Sequence, residues 1–252
     1  MKHIISPIKL LAFVIIISFL PSAISSAQTF REIYVGLGLS ESWIIGSQDA
    51  KKPFVPLKPE QGDFRGGSFD NSQSGIDARA TFVIDQKKRW RVPVGIDYSF
   101  YVGKERVPEG YTTKTYFSDN LNIFQIYTGA HYVFYRMNFA KARAWAGPEI
   151  RASFVHNQHY SYEIDYQNPE FEDRMITGSK KNAFRVGPSF RLGVDGELGK
   201  GYYVNISSHY TYMNLIGADD ERGELLSPGY RQKRVENPAQ IFGLTFMLQY
   251  KL

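Results

Sequence analysis

The run His156-Asn157-Gln158-His159 sets two imidazoles three residues apart, with Glu163 and Asp165 close behind. Imidazole and carboxylate together form a donor set for a divalent metal. In an extended strand, however, a spacing of three points the two rings to opposite faces, so joint ligation needs a bend. No metal site is assigned on this pattern. The overlapping run His159-Tyr160-Ser161 carries a different chemistry. Residues two apart share a strand face, so His159, Ser161 and Glu163 form one row. A hydroxyl, a base to take its proton and an acid to orient that base are the parts of nucleophilic acyl transfer. A similar run, His209-Tyr210-Thr211-Tyr212, has the character of an ordinary aromatic-rich strand end. His159, Ser161 and Glu163 therefore stand as candidates, and no catalytic activity is expected of the chain.

The elements that must position these side chains are strands. From residue 30 onward, eight stretches alternate apolar and polar residues with period two, the mark of a strand with two unlike faces. They run at about Ile33–Ile45, Ile76–Ile84, Trp90–Val102, Leu121–Tyr135, Ala142–Val155, Ala183–Asp195, Tyr202–Met213 and Ala239–Leu252. Three tight turns (Asp85–Arg89, Arg136–Lys141, Gly196–Gly201) alternate strictly with four long polar connections (Gly46–Gly75, Gly103–Asn120, His156–Asn182, Gly217–Pro238). A soluble sandwich has no reason to sort its connections this way, whereas a barrel of the outer-membrane type does. The expected fold is all-β: an eight-stranded antiparallel up-and-down transmembrane barrel, long loops outside, short turns and both termini in the periplasm. Pro93, Pro148 and Pro188 fall inside strand runs, where each removes a ladder donor, and are expected at bulges or strand ends.

The two rows differ sharply. One carries Val, Ile, Leu and Phe; the other carries Arg79, Arg91, Arg143, Arg151, Arg185 and Arg191 with Asp77, Asp97, Glu149 and Asp195 as counter-charges. A single Arg on a lipid-facing row at mid-depth costs about 2–4 kcal/mol, so the Arg row must face inward. An eight-stranded barrel is just wide enough for side chains to fill, which predicts a hydrogen-bonded charge network in place of a wide pore. Aromatics cluster near the strand ends: Trp43, Tyr98, Phe100, Tyr210 and Tyr212 toward the loops, Trp90, Tyr132, Phe134, Tyr202 and Tyr250 toward the turns. Tyr and Trp favour a membrane–water boundary because one end is apolar and the other can hydrogen-bond. A soluble barrel of lipocalin type, apolar row inward, is the alternative that these positions argue against.

Of 252 residues none is Cys, which removes disulfides and thiolate chemistry together. The net charge of +5 is scattered, with no basic run of the kind nucleic acid requires. Residues 1–27 read as a cleaved signal peptide: Lys2 and Lys9, the apolar run Leu10–Leu20, then Ser25-Ser26-Ala27 ahead of Gln28. A run of eleven residues is too short to span a bilayer, which takes about 20. Residues 28–252 form the barrel.

With these residues in view, Phe30–Leu252 resembles the small eight-stranded outer-membrane barrels of the OmpA/OmpX type, closest in flavour to the generic outer-membrane β-barrel domain of Bacteroidota-like bacteria. Gly243-Leu244-Thr245-Phe246-Met247-Leu248 and Tyr250 resemble the assembly signal of such proteins, although the chain ends in Leu252 where they end in Phe or Trp. The resemblance implies residence in a Gram-negative outer membrane, insertion by the barrel-assembly machinery, and contact with outer-membrane lipid and lipopolysaccharide. It implies no cofactor. His159-Tyr160-Ser161 is weakly similar to the His-x-Ser arrangement of the outer-membrane lipid A 3-O-deacylases, with Tyr162 where they carry Asn. The expected role is structural or one of surface interaction, through external loops that meet an unidentified protein partner. A narrow porin-like solute channel, a lipid A-modifying hydrolase and a secretion-apparatus barrel are the alternatives.

Overall fold

The alternating rows form strands that close on themselves. The computed structural model describes residues 30–58, 63–108, 113–219, 222–228 and 236–252; the signal peptide read in Met1–Ala27 lies outside them. The strands are β1 (Glu32–Ile44), β2 (Val55–Lys58), β3 (Asp63–Arg65), β4 (Gln73–Val83), β5 (Trp90–Pro108), β6 (Thr113–Gly129), β7 (His131–Arg136), β8 (Arg143–Tyr166), β9 (Arg174–Lys180), β10 (Ala183–Gly199), β11 (Tyr202–Tyr212) and β12 (Gln240–Lys251). β6 and β7 are two parts of one wall strand, both lying between β5 and β8. The ring β1-β4-β5-β6/β7-β8-β10-β11-β12 is closed by β12 on β1, from Tyr34 opposite Lys251 to Ile44 opposite Ile241. The protein is an eight-stranded antiparallel barrel, and closure leaves its wall without a free edge. β2 and β3 form a separate small hairpin in the first long connection.

Prolines explain why one wall strand is divided. Continuing the register, Pro93 on β5 falls opposite Gly129 and Pro148 on β8 falls opposite Ala130, so both neighbours lack an N–H at the same level. The ladder lapses there, and Ala130 N–H donates to the Pro148 carbonyl at 3.0 Å. Pro188 is not at an end of its strand: it lies inside β10, opposite Ile150 on β8, and one residue outside the β10–β11 ladder, which begins at Ser189 opposite Thr211 and so asks no N–H of it on that side.

Two connections read as loops from sequence, Gly103–Asn120 and His156–Asn182, are largely strand. β5 and β6 stay paired out to Pro108 opposite Lys114, β6 and β8 out to Thr113 opposite Tyr166, and β9 adds a further strand on β8. Their polar composition suits solvated loops, but a sheet that projects beyond the apolar wall is wet on its outer face and tolerates such residues. The outer row of β5 marks the change, running Val94, Ile96, Tyr98, Phe100, Val102 and then Lys104.

Inward, small residues make room for large ones. A Cβ on Gly95 would stand 2.4 Å from the Tyr127 ring, and one on Gly243 would stand 2.2 Å from the His209 ring. These two glycines let an aromatic side chain cross a narrow lumen. Overpacking a filled interior costs about 1–3 kcal/mol, so Gly95→Ala should destabilise the folded barrel by that amount, read as a lower urea midpoint. A midpoint equal to that of the parent would show that Tyr127 yields freely.

Candidate functional site

Six arginines enter the lumen from the inward rows, and the partners they find tie opposite walls together. Arg191 on β10 reaches Asp77 on β4, half-way round the ring, with Nη1 and Nη2 each 3.2 Å from Oδ2. Its Nε lies 3.0 Å from Glu149 Oε1. Arg151 donates to the other Glu149 oxygen at 2.9 Å and to Gln125 at 2.9 Å. Tyr127 is held between these arginines, 4.5 Å from one guanidinium and 4.7 Å from the other, and donates its hydroxyl to Asp77 at 2.6 Å. Arg151 and Arg191 are wholly shielded from solvent. Asp97, directly across the ladder from Asp77, accepts from Ser99.

Nearer the short turns, Asp195 receives Arg91 at 2.7 Å and Arg143 Nε at 2.8 Å. Arg143 continues to the Tyr34 hydroxyl, which donates to Glu32, the carboxylate that also holds Lys88 and Lys251. Among the described residues Arg79 finds no carboxylate; its Nη2 donates to Asn205 Oδ1 at 2.6 Å. Buried charges need partners of this kind, because desolvating an unpaired ion is prohibitive.

Arg185 departs from the pattern. Its fork grips Glu236 in the last long connection, Nε to Oε1 at 3.0 Å and Nη2 to Oε2 at 2.6 Å, and Asn214 joins the same carboxylate at 2.9 Å. This pair anchors a loop instead of joining the barrel's internal counter-charges. The loop then turns into the barrel mouth. Leu225 and Leu226 pack with Ile44, Phe69, Tyr101, Leu121, Ile123, Val155 and Ile241 in a closed apolar cluster. Lys180 donates to the Glu224 carbonyl at 2.6 Å and the Ser227 carbonyl at 2.8 Å, and Ser227 Oγ donates to the Gly66 carbonyl of the first connection at 2.8 Å. Gln158 Nε2 spans between Asp119 and the Leu226 carbonyl. Burial pushes the Lys180 amine down to about 7 and the Asp119 carboxyl up to about 8, both above the apolar belt. The mouth is thus plugged by the chain's own loops, with polar anchors around an apolar centre.

The candidate row His159, Ser161, Glu163 lies on the outer face of the projecting sheet. Ser161 sits between Ser118 and Thr177, and His159 between Asn120 and Ser179. These residues border a shallow groove of about 380 Å³, next to one of about 420 Å³ lined by Arg106, Tyr116 and Glu163. Residues two apart on a strand stand about 7 Å apart at Cα. Among the described residues no hydrogen bond joins His159 to Ser161 or Glu163. The two histidines, expected on opposite faces, share the outer one. Asn157 adopts φ 54° and the β6–β8 register shifts beside it, so a bulge inserts one residue and restores the facing. His156 is taken up by aromatics, stacked 5.3 Å from Phe154. Among the described residues no group of three His, Asp or Glu is disposed to hold a metal.

Around the outside, Leu37, Leu39, Ile76, Phe184, Leu192 and Phe246 stand exposed in a belt. Paired rings border it: Trp90 with Tyr132 and Tyr202 with Tyr250 toward the turns, Tyr98 with Phe100 and Trp43 with Phe242 toward the loops. Phe134 and Tyr210 are also outward and exposed, and Tyr212 is half-buried.

No protein-family model and no curated protein matches this chain. Among solved structures it is similar to Ail, the attachment invasion locus protein of Yersinia pestis: 8% identity, 88% of this chain and 98% of that one, TM-score 0.40. Neisserial surface protein A gives 13% identity over 87% and 97% at TM-score 0.40. The outer membrane protein OprG from Pseudomonas aeruginosa gives 11% over 88% and 95% at 0.44. Identities this low carry no correspondence of individual residues.

Proposed function

We propose that the chain is an outer-membrane barrel, closed to solutes, that works as a structural and surface-interaction protein through the sheet and loops it holds outside the bilayer. The observation that carries this reading is the inversion of the usual order. Leu39 is 71% exposed and Phe246 56%, while Arg191 and Arg151 are fully buried. In water that arrangement wastes apolar area and buries charge; in lipid both faces are satisfied. Short turns then belong to the periplasm and the projecting sheet to the exterior.

A filled lumen supports the closed reading over a channel. The interior voids that line β5 hold about 10 Å³ each, room for a single water. The outer row of Ser118, Asn120, His159, Ser161, Thr177 and Ser179 offers hydroxyl, amide and imidazole groups at the height where lipopolysaccharide sugars or a protein partner would meet it. The separation of His159 from Ser161 favours contact over catalysis there.

Fractionation followed by electrophoresis of unheated and boiled samples tests the location. An outer-membrane band whose mobility changes on boiling is expected, and a soluble periplasmic band with constant mobility would overturn the reading. Reconstitution in planar bilayers should give no conductance above background; steady single-channel steps would sink the closed state. Lipid A mass should stay the same on overexpression, and a change abolished by Ser161→Ala would replace this function with a hydrolytic one.

A further inference from the structure

Toward the short-turn end of the lumen, Arg79, Arg91, Arg143, Trp145, Asp195 and their neighbours surround a small void of about 10 Å³. It admits one particle the size of a water. Its charge is one-sided, three guanidiniums against one carboxylate. That carboxylate is already engaged, Oδ1 by Arg91 and Oδ2 by Arg143. Asn205 Oδ1 is engaged by Arg79 Nη2.

What remains at the void is a surplus of donors. Arg79 Nε and Nη1, Arg91 Nε and Nη2 and Trp145 Nε1 are cut off from solvent and have no acceptor among the described residues. Their side chains belong to residues only 2–4% exposed. Buried N–H groups in folded proteins are almost always paired, so five unpaired donor atoms around one void call for an acceptor. A water answers poorly. It accepts through two lone pairs, too few for five donor atoms, even though the Thr81 hydroxyl, the Gln249 amide and the His131 ring also line the void and can take its protons. A spherical anion accepts from every direction and offsets the surplus positive charge.

We propose that this void is a binding site for one small monovalent anion of the halide class, held by Arg79, Arg91 and Trp145. Size excludes phosphate, sulfate and carboxylates, whereas a halide is only a few tenths of an ångström larger in radius than water, a difference the guanidinium side chains around the void take up by turning. With the mouth plugged and no wide path through the lumen, the ion is taken up as the barrel forms and acts as an internal structural ligand.

Bromide is the probe. Crystals of the full folded chain grown with sodium bromide in place of chloride should show one buried anomalous peak within hydrogen-bond distance of the Arg79 and Trp145 nitrogens. Density there without an anomalous signal, or bromide confined to the outer surface, overturns the proposal. In solution, the urea midpoint of the micelle-bound barrel should rise saturably with chloride and not with gluconate at equal ionic strength. Equal midpoints in the two salts overturn it as well. Arg79→Gln should abolish the halide dependence; this change strands no carboxylate, since Arg79 has none as a partner. If that variant does not fold, Trp145→Phe removes one donor and should weaken the halide response about tenfold, and an unchanged response would count against the site.

Discussion

Arg191→Met should lower the stability of the folded barrel by about 3–5 kcal/mol, the usual cost of removing one partner from a buried ion pair. Arg191 is completely buried and serves Asp77, Glu149 and the face of Tyr127 together. Its loss leaves Asp77 with the Tyr127 hydroxyl but no cation, in a lumen that water does not fill. Unfolding by urea in lipid vesicles, followed by the mobility of unheated samples, reads the change. Adding Asp77→Asn removes the stranded charge and keeps an acceptor for Tyr127, while Arg151 still neutralises Glu149. The double variant should recover at least half of the loss. Recovery of nothing would mean that Arg191 matters for its packing and not for its charge.

The second large effect belongs to the mouth. Lys180→Met withdraws donors from two buried carbonyls, Glu224 and Ser227, at about 1–3 kcal/mol each. A loss of about 2–6 kcal/mol in docking corresponds to roughly a 30- to 20,000-fold rise in the open population, at tenfold per 1.4 kcal/mol. Chymotryptic cleavage after Leu226, at a residue only 2% exposed, should accelerate accordingly while the barrel stays folded. An unchanged cleavage rate would mean that the other anchors, Arg185 with Glu236, Ser227 with Gly66 and the packing of Leu225 and Leu226, hold the loop without Lys180.

The same loop should respond to pH. Burial raises Asp119 to about 8, so between its ordinary value near 4 and pH 8 the docked state binds more protons, and docking weakens as pH rises. Burial lowers Lys180 to about 7, so between pH 7 and its ordinary value near 10.5 the released loop binds more protons, and docking strengthens as pH rises. Cleavage after Leu226 should peak near pH 7–8. Asp119→Asn should flatten the acidic limb and leave the alkaline one. A neutral amine still carries two N–H groups, enough for both carbonyls, so the contact survives loss of the Lys180 charge.

Period-two alternation made the barrel legible because the two faces of each wall strand meet opposite media. It also assigned Arg79, Arg91, Arg143, Arg151 and Arg191 to one row; four of them are buried in the lumen and Arg143, partly buried, joins Asp195 there. It failed where that contrast ends. Beyond Val102 and Phe154 the outer row turns polar, at Lys104, His159, Ser161 and Glu163, so the apolar stripe that marks a wall strand ends and the projecting strands looked like loops. The bulge at Asn157 left no mark in the pattern, because its αL backbone is a tertiary choice that Asn tolerates. Arg185 looked like its neighbours on β10, and only the returning loop supplies Glu236. The plug did leave a trace. At the loop ends the otherwise polar row turns apolar, at Ile44, Tyr101, Ile123, Val155 and Ile241. Apolar residues on an inward row require something apolar to meet, and Leu225-Leu226 in an otherwise polar connection is the matching pair.

The ties across the lumen also set the shape of the wall. A thin tube of eight strands, squeezed sideways by the lateral pressure of lipid, can flatten into an ellipse without breaking a single ladder bond. Arg191 to Asp77 fixes the width between β10 and β4, and Arg143 to Tyr34 fixes it between β8 and β1. Two struts along different diameters cannot both keep their length in a flattened ring. The cross-section is therefore stiff, and the sheet above it is presented in one orientation whatever the thickness or tension of the surrounding bilayer.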